Sequence, residues 1–225
     1  MSNKILAFSN YDENFAVIND ITYPHNKKYF DKHNIEYSVF NNNIDIINTL
    51  TPHVTKCYYI KWILLQKLLE TRNDINYFFA IDTDIIICDF NIDLRIFTKL
   101  SSKDILLCSV EDCSPDMFWN VNAGSMIVKN NDRVKSFISS YLDFAKSHDY
   151  NIIDQPLLQN FIYKKPEYRF LFSIFPSCAF NHGGLNSFLY HDCNISTSNK
   201  PLKECIEKKS YNLKTAIDNL NNYNK

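Results

Sequence analysis

The stretch "YFFAIDTDIIICDF", Tyr77 to Phe90, decides how this chain is read. Tyr77 to Ile81 form an apolar run of strand length with no polar interruption, the pattern of a strand buried on both faces. Asp82 and Asp84 stand at its exit with Thr83 between them, and Ile85, Ile86 and Ile87 follow. Alternate residues of an extended chain project to the same side, so both carboxylates can face one cation. Oxygen ligands suit hard ions such as Mg2+ and Mn2+, which in turn bind diphosphates. Asp at a strand end ordinarily caps a turn, but the wholly apolar strand before this pair favours the ligand reading. In open α/β sheets, ligands bind beyond the C-terminal ends of strands.

Outward from this point the chain alternates strand and helix signals. "KILAFS" (Lys4 to Ser9) reads as a strand, "NKKYFDKHN" as a short helix and "EYSVF" (Glu36 to Phe40) as a second strand, an opening βαβ pattern. The polar, Pro-broken "NNNIDIINTLTPHV" reads as a loop. "TKCYYIKWILLQKLLE" is a helix, because Tyr58, Trp62, Leu65 and Leu69 fall on one face. Beyond the Asp pair, "DILLCSV" and "NAGSMIVK" read as strands, and "DRVKSFISSYLDFAKS" has helical spacing through Val134, Phe137, Ile138, Tyr141 and Leu142. In "IIDQPLLQNFIY" a capping-type Asp154 and a first-turn Pro156 start another helix. "RFLFSIF" and "SFLYH" are late short strands, and "KECIEKKSYNLKTAIDNL" is an amphipathic helix before a frayed "NNYNK". No internal repeat, linker or domain boundary interrupts the chain, so the expectation is one α/β domain over residues 1–225.

The totals bound the function classes. With 225 residues, 45% hydrophobic and 15% aromatic, the chain can bury one sizeable core. A formal net charge of −1 supplies no global basic field to attract nucleic acid. No run approaches the roughly 20 apolar residues of a membrane span, and the N-terminus lacks an extended apolar h-region and a cleavage signal. A cytoplasmic protein is therefore expected. Its seven cysteines are odd in number, widely spaced and without CxxC, which points to free thiols in a reducing compartment.

Two enzyme classes place an Asp-x-Asp pair at a strand end. Haloacid-dehalogenase-type phosphatases use the first Asp as nucleophile, place the pair early and favour Thr or Val two positions after the second Asp, where this chain has Ile86. GT-A-type nucleotide-sugar glycosyltransferases place the pair mid-domain, as here. In order, "KILAFS", "YFDKHNIEYSVF", "YYIKWILLQKLL", "FFAIDTDIII", "NVNAGSMIVKNN", "DQPLLQNF" and "FNHGGLNSFLYH" run through most of the chain. That order resembles a small retaining GT-A glycosyltransferase of the galactosyl/xylosyl/mannosyltransferase family (glycosyltransferase family 34) and, more distantly, the glycogenin-like family 8.

The resemblance implies a Rossmann-like mixed sheet flanked by helices, with a nucleotide-binding half over about 1–110, an acceptor half over about 111–200 and a C-terminal helix over about 201–222. It implies a metal site of Asp82, Asp84 and a late histidine. His191, which ends the run "SFLY", fits that place better than His182 beside Gly183 and Gly184. Asn122 and Gly124 match the segment that passes close to the donor sugar. Asp154 and Gln155 match the pair that faces the reacting carbon, with Asp154 on sugar hydroxyls and Gln155 supporting the reacting face. Lys61 matches a lysine that supports the acidic site. Ser9, Asn10 and Tyr11 fall where base and ribose are held, Thr83 lies within the donor site, and Lys200 is the candidate for the diphosphate, although "HDCNISTSNKP" lacks the family's glycine after the histidine.

The implied reaction is transfer of a sugar from a UDP-linked donor to the hydroxyl of a glycan, protein or lipid acceptor, with Mn2+ or Mg2+ as cofactor and with retention. A metal-dependent phosphatase and a non-catalytic sugar-nucleotide binder are the competing readings. The cysteine pattern makes its own prediction: activity and melting temperature survive strong reductant. A large loss of stability on reduction would instead reveal a structural disulfide.

Overall fold

A computed structural model of the chain describes residues 3–41, 56–110, 121–148, 153–177, 184–185, 187–192 and 201–223. Apart from Asn41, the loop expected over 41–54 lies outside these residues. So do His182, Lys200, Cys113, Cys178, Cys193, Asn224 and Lys225.

The apolar run Tyr77–Ile81 is strand β3, near the middle of a six-stranded sheet. Around it stand β1 (Ile5–Tyr11), β2 (Glu36–Asn41), β5 (Ile105–Ser109), β6 (Val121–Lys129) and β7 (Phe172–Phe175); between β3 and β5 comes a short β4 (Ile85–Ile87). The sheet order is β2-β1-β3-β6-β5-β7. β1 pairs in parallel with β2 and β3, and β5 with β7, whereas β6 runs antiparallel to β3 and β5. The sheet is thus mixed, and the expected opening βαβ unit is present as β1, helix α1 (Ala16–Lys32) and β2.

Period-two alternation sorts the strand side chains into two cores. Leu6, Phe8, Phe78, Ala80, Met126 and Val128 face helices α2 (Lys56–Thr71), α4 (Asp132–Ser147) and α5 (Asp154–Lys164). Ile5, Ala7, Phe79, Ile81 and Ile127 join Tyr29 and Phe30 of α1 and Phe97 of the short α3 (Arg95–Leu100) on the other side. In α4 the residues picked out by helical spacing, Val134, Phe137, Ile138, Tyr141 and Leu142, are all buried. Asn131 caps this helix, its side chain accepting from the Val134 amide. In α2, Trp62, Leu65 and Leu69 are buried, but Tyr58 on the same face is exposed.

Helix α1 differs from its expectation. It begins at Ala16, with Pro24 inside it, where only a short helix near Asn26 was expected. The proline and the polar run around it hide the helical period. β1 also continues through Asn10 and Tyr11, so the residues expected to follow the strand form its last positions.

The three isoleucines after the Asp pair form β4, which leaves the large sheet and pairs antiparallel with β8 (Leu189–His191). Ile85 sits opposite His191 in that register. A last helix, α6 (Leu202–Tyr223), covers this ribbon and α1, burying Leu213, Ala216 and Leu220 against Ile18, Ile86 and Cys88. Cys88, Cys108 and Cys205 are buried free thiols. Among the described residues no helix is long and apolar enough to cross a membrane.

The ribbon is held by a side chain acting as a surrogate strand. Buried Asn26 of α1 donates from Nδ2 to the Ile85 carbonyl (2.8 Å) and accepts at Oδ1 from the Ile87 amide (3.0 Å). His25 Nε2 contacts the Ile87 carbonyl at 2.8 Å. Replacing Asn26 by leucine leaves a buried N–H and C=O of β4 without this partner, at a cost of about 2–4 kcal/mol. Thermal melts of Asn26→Leu should show a midpoint lowered by about 5–15 °C; an unchanged midpoint contradicts this role.

Candidate functional site

β3 ends against β6: the Asp82 amide donates to the Gly124 carbonyl at 2.8 Å, one step beyond the Ile81–Ser125 pair. This pins the Asp82–Asp84 turn between the large sheet and the β4–β8 ribbon. Thr83, between the two acids, points its hydroxyl to the Asn10 carbonyl (2.5 Å), while its own carbonyl accepts from Thr22 Oγ1 (2.8 Å). The turn is therefore tied to β1 and to α1.

His191, opposite Ile85 across the ribbon, returns to the acids. Its Nε2 lies 3.3 Å from Asp84 Oδ1 and 3.9 Å from Asp82 Oδ2. Asp82, Asp84 and His191 each bring one ligand atom within 4.8 Å of the others, a group that could hold a metal ion. The two carboxylate oxygens are the donors that suit Mn2+ or Mg2+, and the imidazole nitrogen adds a third ligand, so the set fits the expected cation. Asp82 opens the cluster to solvent: its side chain is 37% exposed, against 15% for Asp84 and 7% for His191. Gly124 makes this arrangement possible, because a Cβ there would lie 2.8 Å from His191 Nδ1. Asn122 Oδ1 fixes the same segment by accepting from the Gly124 amide at 2.7 Å.

Each acid also rests on a lysine. Lys61 of α2, expected near the acids, is buried and donates to Asp82 Oδ1 at 2.6 Å and to the Ala123 carbonyl at 2.5 Å. It lies 3.9 Å from Asp154 Oδ2. Burial would lower the Lys61 pKa, but Asp82 and Asp154 outweigh it, so the ammonium stays charged. Lys209 of α6, buried as well, donates to Asp84 Oδ2 and to the Asp192 carbonyl. Burial would raise the Asp84 pKa; the Lys209 and His191 charges reverse this and hold the carboxyl well below the usual carboxylate range.

Asp154 does not cap its helix, because Ile153 holds the cap position without a side-chain bond. Its buried carboxylate instead accepts from Trp62 Nε1 at 3.0 Å, and its carbonyl from the Tyr141 hydroxyl at 2.8 Å. Burial raises the Asp154 pKa, with Lys61 offsetting part of the rise. Next to it, Gln155 Oε1 accepts from the Ala123 amide at 3.2 Å. Pairing between β5 and β6 skips from Ile127 to Asn122, and across this interruption Ala123 turns its N–H to Gln155 and its C=O to Lys61. Gln159 Nε2 closes the same edge on the Val121 carbonyl (3.0 Å).

The structure thus brings together Lys61, Asp82, Asp84, Asn122, Gly124, Asp154, Gln155 and His191. Ser9 is buried, its hydroxyl 3.0 Å from the Tyr37 hydroxyl. Asn10 and Tyr11, half-buried, end β1 beside Thr83. Sequence reasoning missed Trp62 as a partner of Asp154, and it missed Lys209. A signal for the latter exists: Cys205, Lys209, Leu213, Ala216 and Leu220 form one buried stripe of α6, so the lysine occupies a core-facing position.

No protein-family model and no curated protein matches the chain. Solved structures do. A glycosyltransferase involved in glycosylation of the major capsid of PBCV-1 superposes with TM-score 0.70 at 12% identity, covering 94% of this chain and 99% of that one. Galactosyltransferase LgtC, in complex with donor and acceptor sugar analogs, gives TM-score 0.56 at 12% identity over 94% of this chain and 95% of that one. Apo GlyE of Streptococcus pneumoniae TIGR4 gives 0.52 at 12% identity over 99% and 63%. At such identities the likeness is one of fold: a single GT-A-type α/β domain, of the kind these glycosyltransferases share, with an Asp-x-Asp group at the C-terminal end of a central strand.

Proposed function

We propose that this chain is a metal-dependent glycosyltransferase that moves a sugar from a UDP-linked donor to an acceptor hydroxyl with retention. One observation carries the reading. Asp82 Oδ2, Asp84 Oδ1 and His191 Nε2 converge at the open end of β3, beside Asp154 and Gln155, in a fold shared with solved glycosyltransferases. Residues 1–110 form the nucleotide half, with Ser9, Asn10, Tyr11 and Thr83 on the base and ribose side, and residues 111–200 form the acceptor half.

Asp82, Asp84 and His191 hold Mn2+ or Mg2+. The cation supplies charge neutralisation for the diphosphate leaving group. Lys200 is proposed to add a further positive charge at the diphosphate. The reacting sugar acquires oxocarbenium character, as in glycoside hydrolysis. Gln155, its Oε1 fixed on the Ala123 amide, supports the reacting face of the sugar. Asp154, held by Trp62, accepts from sugar hydroxyls. Lys61 ties the metal-bearing Asp82 to Asp154, so donor phosphate and sugar are positioned by one rigid group. A front-face displacement of this kind needs no protein nucleophile. The three buried thiols are in keeping with a cytoplasmic setting.

The test is a panel of nucleotide sugars incubated with Mn2+. Slow release of nucleoside diphosphate without acceptor supports transfer. Inorganic phosphate released from monoesters marks a phosphatase, and binding without turnover marks a non-catalytic relative; either result overturns the proposal.

Variants sharpen this expectation. Asp82→Asn and Asp84→Asn abolish Mn2+-dependent hydrolysis, and each also lowers the melting midpoint because it leaves a buried lysine with a neutral partner. Gln155→Ala keeps metal and UDP binding but loses roughly a hundredfold in transfer, the scale of one preorganised transition-state contact. His191→Ala raises the Mn2+ concentration for half activity, and Gly124→Ala does the same by displacing the His191 ring, whereas His182→Ala changes it little. Mn2+ and UDP titrations by calorimetry beside turnover assays decide each case. Loss of metal in His182→Ala alone would mean that the ligand is misassigned.

A further inference from the structure

The two acids are held in the same way by lysines from opposite sides of the molecule. Asp82 gives Oδ1 to Lys61 of α2 and turns Oδ2 toward His191; Asp84 gives Oδ2 to Lys209 of α6 and turns Oδ1 toward His191. One oxygen of each carboxylate is thereby committed to an ammonium, and the other is aimed at the shared centre. Lys209 cannot easily leave. Its side chain is 3% exposed, it also donates to the Asp192 carbonyl, and α6 is anchored by Leu213, Ala216 and Leu220. Asn212, on the same helix, donates to Asp192 Oδ2 at 3.2 Å, and the Asp192 amide approaches the Asp84 carbonyl at 3.5 Å. The position of the ammonium is therefore set by helix packing, independently of any ion.

Ion selectivity follows from how many oxygens a site can offer. Ca2+ takes six to eight oxygen ligands and often uses a carboxylate through both oxygens, whereas Mg2+ demands a compact six-coordinate shell and keeps several waters. A carboxylate whose second oxygen is held by an ammonium cannot turn both oxygens to an ion without breaking that bond.

We propose that Lys209 is a positioning residue that makes the site selective: by holding Oδ2 of Asp84 it restricts that carboxylate to one-oxygen ligation and disfavours Ca2+ relative to Mn2+. The assignment rests on Asp82, Asp84 and His191 binding a cation, as proposed above, and it extends the site to the C-terminal helix.

The test is binding, not turnover. Free Mn2+ is measured by electron paramagnetic resonance over the full chain, with Ca2+ as competitor, for the wild type, Lys209→Met and the exposed-neighbour control Lys208→Met. Removing the Lys209 charge alters attraction for both divalent ions alike, so the ratio of the two affinities isolates the geometric effect. Lys209→Met should lower the Mn2+-over-Ca2+ preference about tenfold or more, within the range for residues that orient metal ligands. Lys208→Met should leave it unchanged. If Lys209→Met does not fold, Lys209→Gln serves: its shorter amide cannot span the same distance, and the same fall is expected. An unchanged ratio in the folded variant overturns the role of Lys209 while leaving the cation site standing. Absence of any Mn2+ binding to the wild type overturns the cation site itself, and this inference with it.

Discussion

Everything around the end of β3 depends on one electrostatic constraint: three carboxylates must share a small, largely buried volume. Among the described residues, Lys61 and Lys209 are the ammonium groups that pair with Asp82, Asp84 and Asp154. Ionised acids out of water are costly unless paired and hydrogen-bonded. The fold meets this demand by giving each acid a buried partner, and Trp62 adds a donor for Asp154. Asp82, the most exposed of the three metal-facing side chains, opens this cluster to solvent. Converging carboxylate oxygens with an opening to solvent are what a cation site requires.

The architecture exists to bring these groups to one place from distant parts of the chain. β3 supplies the two acids, α2 the first lysine, the interrupted β6 edge the Ala123 and Gly124 backbone, and α5 Asp154 and Gln155. The β4–β8 ribbon and α6 then close the other side with His191 and Lys209. Asn26 stiffens that ribbon from behind, so the placement of His191 relative to Asp84 depends on a residue of the first helix. Glycine at 124 follows from the same crowding, since the His191 ring occupies the space where a side chain would go.

Much of this was legible in the sequence. The strand Tyr77–Ile81 announced itself by unbroken apolarity, and α4 by its period. The Asp pair was readable because acids at the exit of such a strand need a partner. The resemblance pointed to His191, and the structure brings its ring beside both acids. What escaped was tertiary. A buried lysine looks like a solvated one in sequence, and only the apolar stripe Cys205, Leu213, Ala216 and Leu220 placed Lys209 inward. Asp154 looked like a helix cap because acid, then proline, is how helices start, yet the Trp62 indole claimed its side chain. α1 lost its signal to Pro24 and its polar neighbours, although Asn26 and His25 are polar there because they bond the β4 backbone.

The central claim, that two fixed lysines aim two carboxylates at one cation, is tested most directly by a crystal structure of the chain grown with Mn2+ and recorded at an anomalous wavelength. The account predicts a single strong anomalous peak bonded to Asp82 Oδ2, Asp84 Oδ1 and His191 Nε2, with Lys61 and Lys209 still on the other two oxygens. A peak elsewhere, or one that both oxygens of Asp84 bind after Lys209 has been expelled, would contradict it.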